Sequence, residues 1–293
     1  MRYFAGMEKI GRVAEIWRYP VKSMAGERLE RASVGTRGIP GDRGWALRDE
    51  KAGEIRGAKK MPALMKCQAH YVSEPSATEI PAAEITLPDG AKFKTGAPDA
   101  NQKLSDLLGR PVTLWPLQPV TAREHYRRSA PDNPDMMQEL RQIFGRLENE
   151  PIPDISMFGP EILEFTSPLG TYFDVMPIHL VTTASIEKLR ELTPGAKIDV
   201  RRFRPNVLIE TNAGMTGLVE ANWTGRTLRI GAARIKIEMP CVRCVMTTLE
   251  QIDLPKDPSV LRTIVRDADQ NVGSYCTVAG GGAFAIGDDV ALE

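Results

Sequence analysis

Two cysteines three positions apart are the first feature with chemistry in it, in the run Met239-Pro240-Cys241-Val242-Arg243-Cys244-Val245-Met246-Thr247-Thr248. A thiolate is both a nucleophile and a soft metal ligand, and a guanidinium beside it, such as that of Arg243, favours the charged form. The residues before it, Arg234 to Met239, alternate as a strand does. Proline cannot donate to a central ladder, so Pro240 is expected to lead the chain out of the sheet and leave both cysteines on a loop. A structural zinc site needs four nitrogen or sulfur ligands. No second C-x-x-C is present, and the chain has only three histidines. A thioredoxin-like pair opens a helix after a strand, whereas Val245 to Gln251 leans towards β. Spacing thus leaves two readings open: thiol chemistry, or a pair of incidental core thiols of the kind folded proteins commonly bury.

A second group could bind an anion. Lys22 and Ser23 follow Pro20 at the end of a strand-like run, Arg43 follows a glycine turn, and Arg204 immediately precedes Pro205. Guanidinium groups suit bidentate recognition of phosphate and similar planar acceptors. Each of these cations, taken singly, reads first as a solvated surface charge. Arg201-Arg202 reads as ordinary surface. His179 lies in a buried strand run and reads as a satisfied core histidine; His70 and His125 carry no motif. Gly280 to Gly282 precedes strand rather than helix, so it is not a phosphate loop, and no G-x-G-x-x-G opens a helix.

The elements that must position these groups are mostly strands. Arg12 to Tyr19, Leu29 to Thr36, Trp45 to Asp49, Cys67 to Ser73, Ile85 to Leu87 and Ala91 to Thr95 fill the first part, with a hairpin tip at Gly53 and a turn at Pro88-Asp89-Gly90. Asp99 to Leu108 reads as a short helix with Asp99 as its N-cap and Gly109 as its stop. After a polar stretch, Met136, Leu140, Ile143 and Leu147 recur at helical spacing, and Pro151 and Pro153 are expected to end that amphipathic helix. Beyond it come a strand at Pro177 to Val181 and a helix capped by Thr182 or Thr183. Strands follow at Val207 to Glu210, Thr227 to Ile230, Arg234 to Met239, Cys276 to Ala279 and Phe284 to Leu292. Gly231 and Gly280 to Gly282 stand where hairpin turns would. The fold class is mainly β with a minority of helices, in barrel-like domains.

Composition bounds the function. With 42% apolar residues in 293, one large or two moderate cores are possible. The 38 basic and 38 acidic residues cancel, which argues against a general nucleic-acid binder. Four cysteines are too few for a disulfide framework. No apolar run could span a bilayer, and Met1 to Arg12 lacks a signal core, so the cytoplasm is the expected compartment.

Cys241-Val242-Arg243-Cys244 with Thr247-Thr248 resembles the signature loop of the MOSC family, the molybdenum-cofactor sulfurase C-terminal domains and their relatives, among them the mitochondrial amidoxime-reducing component. The likeness covers nearly the whole chain. Tyr19-Pro20-Val21-Lys22-Ser23 and Gly41-Asp42-Arg43-Gly44-Trp45 look like the family's N-terminal β-barrel domain. Phe203-Arg204-Pro205-Asn206, Trp223-Thr224-Gly225 and Ile286-Gly287-Asp288-Asp289-Val290 look like the MOSC domain itself. The resemblance implies an N-terminal barrel-like domain over residues 9–120, a helical linker over 121–150 and a MOSC barrel over 151–293, with molybdenum cofactor between the barrels. It makes Cys244 the metal ligand and leaves Cys241 without a ligand role. Lys22, Ser23, Arg43, Arg204, Asn206, Val242, Arg243 and Tyr275 become cofactor contacts. Asp174 matches an aspartate that approaches the metal, where a carboxyl group could deliver or position protons. Val175 and Met176 would contact cofactor through their backbones, since the matching side chains in the reductase are hydroxylic.

The implied activity is reduction of a small N-hydroxylated (N-oxygenated) substrate to an amine or amidine. Electrons would come from a separate donor, a flavin or iron–sulfur reductase or a ferredoxin- or cytochrome-like carrier, because the plant-type ferredoxin pattern is missing here. The other readings are a protein that carries or sulfurates the cofactor and a binding module without turnover.

Overall fold

The computed structural model describes residues 7–293; Met1 to Gly6, the first part of the N-terminal segment read above, lie outside the described residues. The first half carries β1 (Glu8–Arg18), β2 (Glu27–Leu29), β3 (Arg31–Val34), β4 (Trp45–Asp49) and β5 (Glu54–Arg56). They are followed by β6 (Gln68–Tyr71), β7 (Ala83–Thr86), β8 (Lys92–Lys94), α1 (Ala100–Leu108) and β9 (Val112–Pro116). A mainly helical stretch holds α2 (Arg123–Tyr126), α3 (Met136–Phe144) and α4 (Glu161–Glu164). The second half runs through β10 (Ile178–Thr182), α5 (Thr183–Leu192), β11 (Val207–Thr211), β12 (Thr227–Ile230) and β13 (Ala233–Val242). It closes with α6 (Pro258–Asp267), β14 (Asn271–Gly280), β15 (Gly282–Ala285) and β16 (Asp289–Leu292).

Seven strands close a barrel in the order β1-β11-β10-β14-β13-β12-β16, returning to β1. An odd ring cannot be antiparallel throughout, and the exception is the parallel pair β10–β11. A parallel pair needs a crossover, which α5 provides after its N-cap Thr182 accepts a hydrogen bond from the Ser185 N–H. The interior is aliphatic, with Ile10, Val13, Ile16, Leu180, Ile209, Leu228, Ile235 and Val290 all buried. Helices α5 and α6 pack outside it through Ile186, Leu189, Val260 and Ile264.

Of the other first-half strands, β2 pairs with β1 and β3 with β15, while the rest form two three-stranded antiparallel sheets, β5-β4-β9 and β6-β7-β8, around a core that includes Leu47, Leu64, Ile85 and Leu104. Strand β1 does not pair with these two sheets. It pairs with β11 on one side and β16 on the other, so the opening residues of the chain complete the barrel of its second half. Met246, just after the cysteine pair, is buried in the first-half core.

Several expectations need correction. The chain stays in the sheet through Pro240: β13 continues to Val242, with register breaks on both sides of the proline. Its ladder to β12 ends at Thr227–Lys236, so Pro240 interrupts little that was paired. Cys241 therefore lies on a strand and only Cys244 beyond its end. Val245–Thr248 is a 3-10 turn rather than β. Gly280 to Gly282 makes no β14–β15 hairpin, because β15 pairs with β3, and Phe284 to Leu292 is split between two strands. Leu29 to Thr36 is likewise split between β2 and β3. Helix α3 is capped by Asp135, whose side chain accepts from the Met137 and Gln138 N–H groups, but Gly145 in the left-handed region stops it well before Pro151, and Met136 and Leu147 are exposed. Asp99 precedes α1 without capping it; its side chain pairs with Lys103 instead.

Candidate functional site

A cleft with a cavity volume of about 100 Å³ opens between the barrel and the first-half sheets. Every residue singled out in the sequence lines it: Lys22, Ser23, Arg43, Asp174, Val175, Met176, Arg204, Asn206, Val242, Arg243, Cys244 and Tyr275. They come from segments far apart in the chain, namely the exit of β1, the loop before β4, the entries of β10 and β11, the end of β13 with the residues just past it, and β14.

Backbone strain concentrates here. Among the described residues five non-glycine positions have positive φ: Ser23, Arg43, Arg204, Asp269 and Gln270. The left-handed region costs an L-residue roughly 1–2 kcal/mol, and such strain gathers at ligand sites. The first three line the cleft. Gln270 supports the cysteine segment from behind, its carbonyl accepting from the Arg243 N–H and its side chain from Arg146. Gly273 at φ +77 is equally constrained, because a Cβ there would lie 2.4 Å from His179 Nε2.

The arginines are held by short chains of contacts. Arg43 and Arg204 each lie over the Tyr19 ring, at 4.4 and 4.3 Å from its centroid. Arg43 pairs with Asp42, and Asp42 in turn accepts from the Tyr19 N–H and from Asn206 Nδ2 at 2.9 Å. Asn206 also donates to the Trp17 carbonyl and accepts from the His179 N–H, so it acts chiefly on Asp42 and the backbone. Burial pulls Arg204 down to about 10, against the opposing charges around it.

Arg243 differs from expectation. Its guanidinium reaches Cys241 Sγ at 2.9 Å and the Phe203 carbonyl at 2.9 Å, so the thiol that it contacts is Cys241 and not Cys244. Burial raises the Cys241 pKa although Arg243 opposes it. His179 Nε2 lies 3.4 Å from the same guanidinium. Burial, reinforced by Arg243, holds His179 well below its ordinary value and therefore neutral. It is a buried strand residue as expected, yet it also lines the cleft. Arg243 Nε is buried with no acceptor, an unfilled donor that a ligand acceptor would satisfy.

Cys244 is half-buried and free at the end of β13. Its carbonyl accepts from the Thr247 hydroxyl at 3.0 Å, and Thr248 closes the same turn on Val245. Arg202, expected at the surface, is fully buried beneath this turn and donates to the Lys197, Thr247 and Pro255 carbonyls. Its neighbour Arg201 is the surface residue of the pair, bridged to Asp199 and Asp253.

Lys22 meets no open anion site here. Its ammonium donates to the Tyr172 carbonyl at 2.8 Å and to Asp174 Oδ1 at 2.6 Å. Lys59, absent from the sequence reading, lies 3.4 Å from Asp174 Oδ2. Burial would raise the Asp174 carboxyl, but Lys22 and Lys59 prevail and hold it well below the usual range. Ser23 Oγ accepts from the Ala58 N–H, on the loop that carries Lys59. Nothing in local sequence marks Lys59, Arg202 or Arg146, each of which matters through a partner distant in the chain; Asp42 lies inside the Gly41 to Trp45 motif and acts on Tyr19 and Asn206.

The models of the MOSC domain and of the MOSC N-terminal β-barrel domain match residues 170–291 and 10–111. The chain belongs to the MOSC family. It is 26% identical over 307 residues to mitochondrial amidoxime reducing component 2 of Rattus norvegicus, covering 97% of this chain and 84% of that one. Molybdenum cofactor sulfurase of Anopheles gambiae is 34% identical over 89 residues, 30% of this chain and 11% of that protein. The crystal structure of the YUAD protein from Bacillus subtilis aligns over 97% of this chain and 95% of that chain at 13% identity, with a TM-score of 0.42. The closed barrel and the N-terminal barrel domain agree with the MOSC assignment. Among the described residues no helix is long and apolar enough to cross a membrane.

Proposed function

We propose that this MOSC protein holds molybdenum cofactor in the cleft and reduces N-hydroxylated substrates to amines or amidines, taking electrons from a separate flavin or iron–sulfur reductase or a small redox carrier. The observation that carries the reading is the placement of one half-buried thiol, Cys244, in a cleft ringed by Arg43, Arg204 and Arg243. Among the described residues no three histidine, cysteine, aspartate or glutamate side chains converge as a metal site. A metal here must bring most of its ligands, as a pterin dithiolene does, and a thiolate suits it as the protein's contribution. The unfilled Arg243 Nε and the strained Ser23, Arg43 and Arg204 fit a ligand with anionic and hydrogen-bonding edges.

When bound, the cofactor supplies two-electron redox chemistry; the chain supplies the thiolate, orientation and protons. Arg43 and Arg204 orient its polar edge from the Tyr19 side. Arg243 and Tyr275 would line its site beside Cys241. Asp174, kept ionised at the cleft, pairs with Lys22 and Lys59.

The test is reduction of benzamidoxime or a hydroxylamino-purine by the molybdenum-loaded protein with a chemical electron donor. Amidine or amine formation is expected; no turnover at full molybdenum occupancy would refute the reductase reading. A second reading, transfer of sulfur to or with the cofactor, draws on the second thiol in the same cleft, Cys241. Labelled sulfur moving from a cysteine persulfide to an acceptor would favour it.

A further inference from the structure

Asp174 is the residue from which a proton would be sought, yet its carboxylate is gripped at both oxygens by ammonium groups, Lys22 on Oδ1 and Lys59 on Oδ2. An ionised carboxylate in that grip has no proton to give. The two lysines are not equivalent. Lys22 is nearly buried, with its side chain 10% exposed, and is tied to the Tyr172 carbonyl as well as to Asp174. Lys59 is 31% exposed and bridges Asp174 at a looser 3.4 Å. One is a fixed strut, and the other can exchange protons with water.

We propose that Lys59 is the proton donor to the oxygen that leaves the substrate, with Asp174, which lines the cleft, the positioning residue that holds its ammonium. The inference rests on the reductase reading above. For an amidoxime, two electrons from the separate reductase enter as the N–O bond breaks. The hydroxyl oxygen takes one proton, from Lys59 Nζ, and leaves as water; the nitrogen takes a second proton from solvent and becomes the amidine N–H. The neutral amine of Lys59 then recovers its proton from water. The Asp174 carboxylate, with Oδ2 3.4 Å from Lys59 Nζ, favours the protonated amine between turnovers. The same carboxylate that cannot donate therefore reloads the donor.

Two variants separate charge from proton transfer. Lys59→Met removes both, whereas Lys59→Arg keeps a cation beside Asp174 but cannot release a proton at neutral pH. Molybdenum and pterin content should match the wild type in both. With benzamidoxime and a chemical electron donor, kcat should fall about 100-fold in each, a size typical of a lost general acid. A readout independent of turnover is the infrared carboxylate band of isotopically labelled Asp174: its titration midpoint should rise in Lys59→Met and stay low in Lys59→Arg. Full kcat in Lys59→Arg, or an unmoved Asp174 midpoint in Lys59→Met, overturns the assignment of Lys59 while the reductase reading stands. A wild-type protein that reduces no N-hydroxylated compound at full occupancy overturns both.

Discussion

At the scale of single residues, the cysteine pair divides its labour by surroundings. Cys241 is buried against Arg243, its thiol pushed up by burial, while Cys244 reaches the cleft half-buried. Cys244→Ala is expected to abolish turnover and strip the metal, and Cys241→Ala to retain most of it, as measured by molybdenum per chain after gel filtration. Equal losses would transfer the ligand role to the pair. Asp174 gives a pH prediction. Its carboxyl is depressed in the folded protein by Lys22 and Lys59 against the effect of burial. The cluster's stabilisation is therefore complete above the unfolded carboxylate value and disappears as pH falls through the lower folded one. Asp174→Asn should be less stable than the wild type at neutral pH, and the gap in denaturant midpoint should close as pH drops below about 4. Solvent reaches the side chain, which keeps the effect modest. The cleft's membership was legible in the sequence because motif positions carried it; Lys59 was not, since only the fold brings it to Asp174.

At the scale of elements, the question is what fixes the turn that presents Cys244. Arg202 lies fully buried under it, donating to carbonyls of three separate segments, and Arg146 reaches the Arg243 carbonyl at 3.0 Å from the end of α3. Removing a buried donor leaves its acceptors dry and unsatisfied. Arg202→Ala should therefore cost about 2–4 kcal/mol in chemical denaturation, while Arg201→Ala, an exposed ion-pair partner, should cost about 1 kcal/mol or less. Comparable losses would show that burial at Arg202 is not what braces the turn. Two adjacent arginines look identical in a sequence, because only packing decides which one turns inward. Pro240 misled for a related reason. Proline excludes a residue from a ladder only where a partner is waiting, and β12 has already ended there. The strands themselves, the α5 cap and the Gly53 hairpin were readable because their signals are local.

At the scale of the whole molecule, strand β1 ties the two halves into one folding unit. A reading along the chain assigns it to the first domain, since pairing partners more than 190 residues away leave no local mark. In the fold it bridges Gly11–Thr211 and Ile16–Val207 on one edge and Glu8–Leu292 and Arg12–Asp289 on the other. It also fills the barrel with Ile10, Val13 and Ile16, each 0–1% exposed. Three such side chains are worth about 5–9 kcal/mol of burial, comparable with the whole stability of a domain. Its loss would further leave β11 and β16 as open edges, the usual start of aggregation. A fragment of residues 151–293 is accordingly expected to show no cooperative thermal transition by circular dichroism. Because Glu8 lies opposite Leu292, the start of β1 and the end of β16 adjoin. Residues 7–34 rejoined after Glu293 through a short turn should therefore restore the ring, including the β3–β15 pair, and with it a cooperative transition. If the shorter fragment melts cooperatively by itself, the barrel does not depend on β1. The cleft would then be a junction of two independent domains, with its lysines and its cysteine free to part.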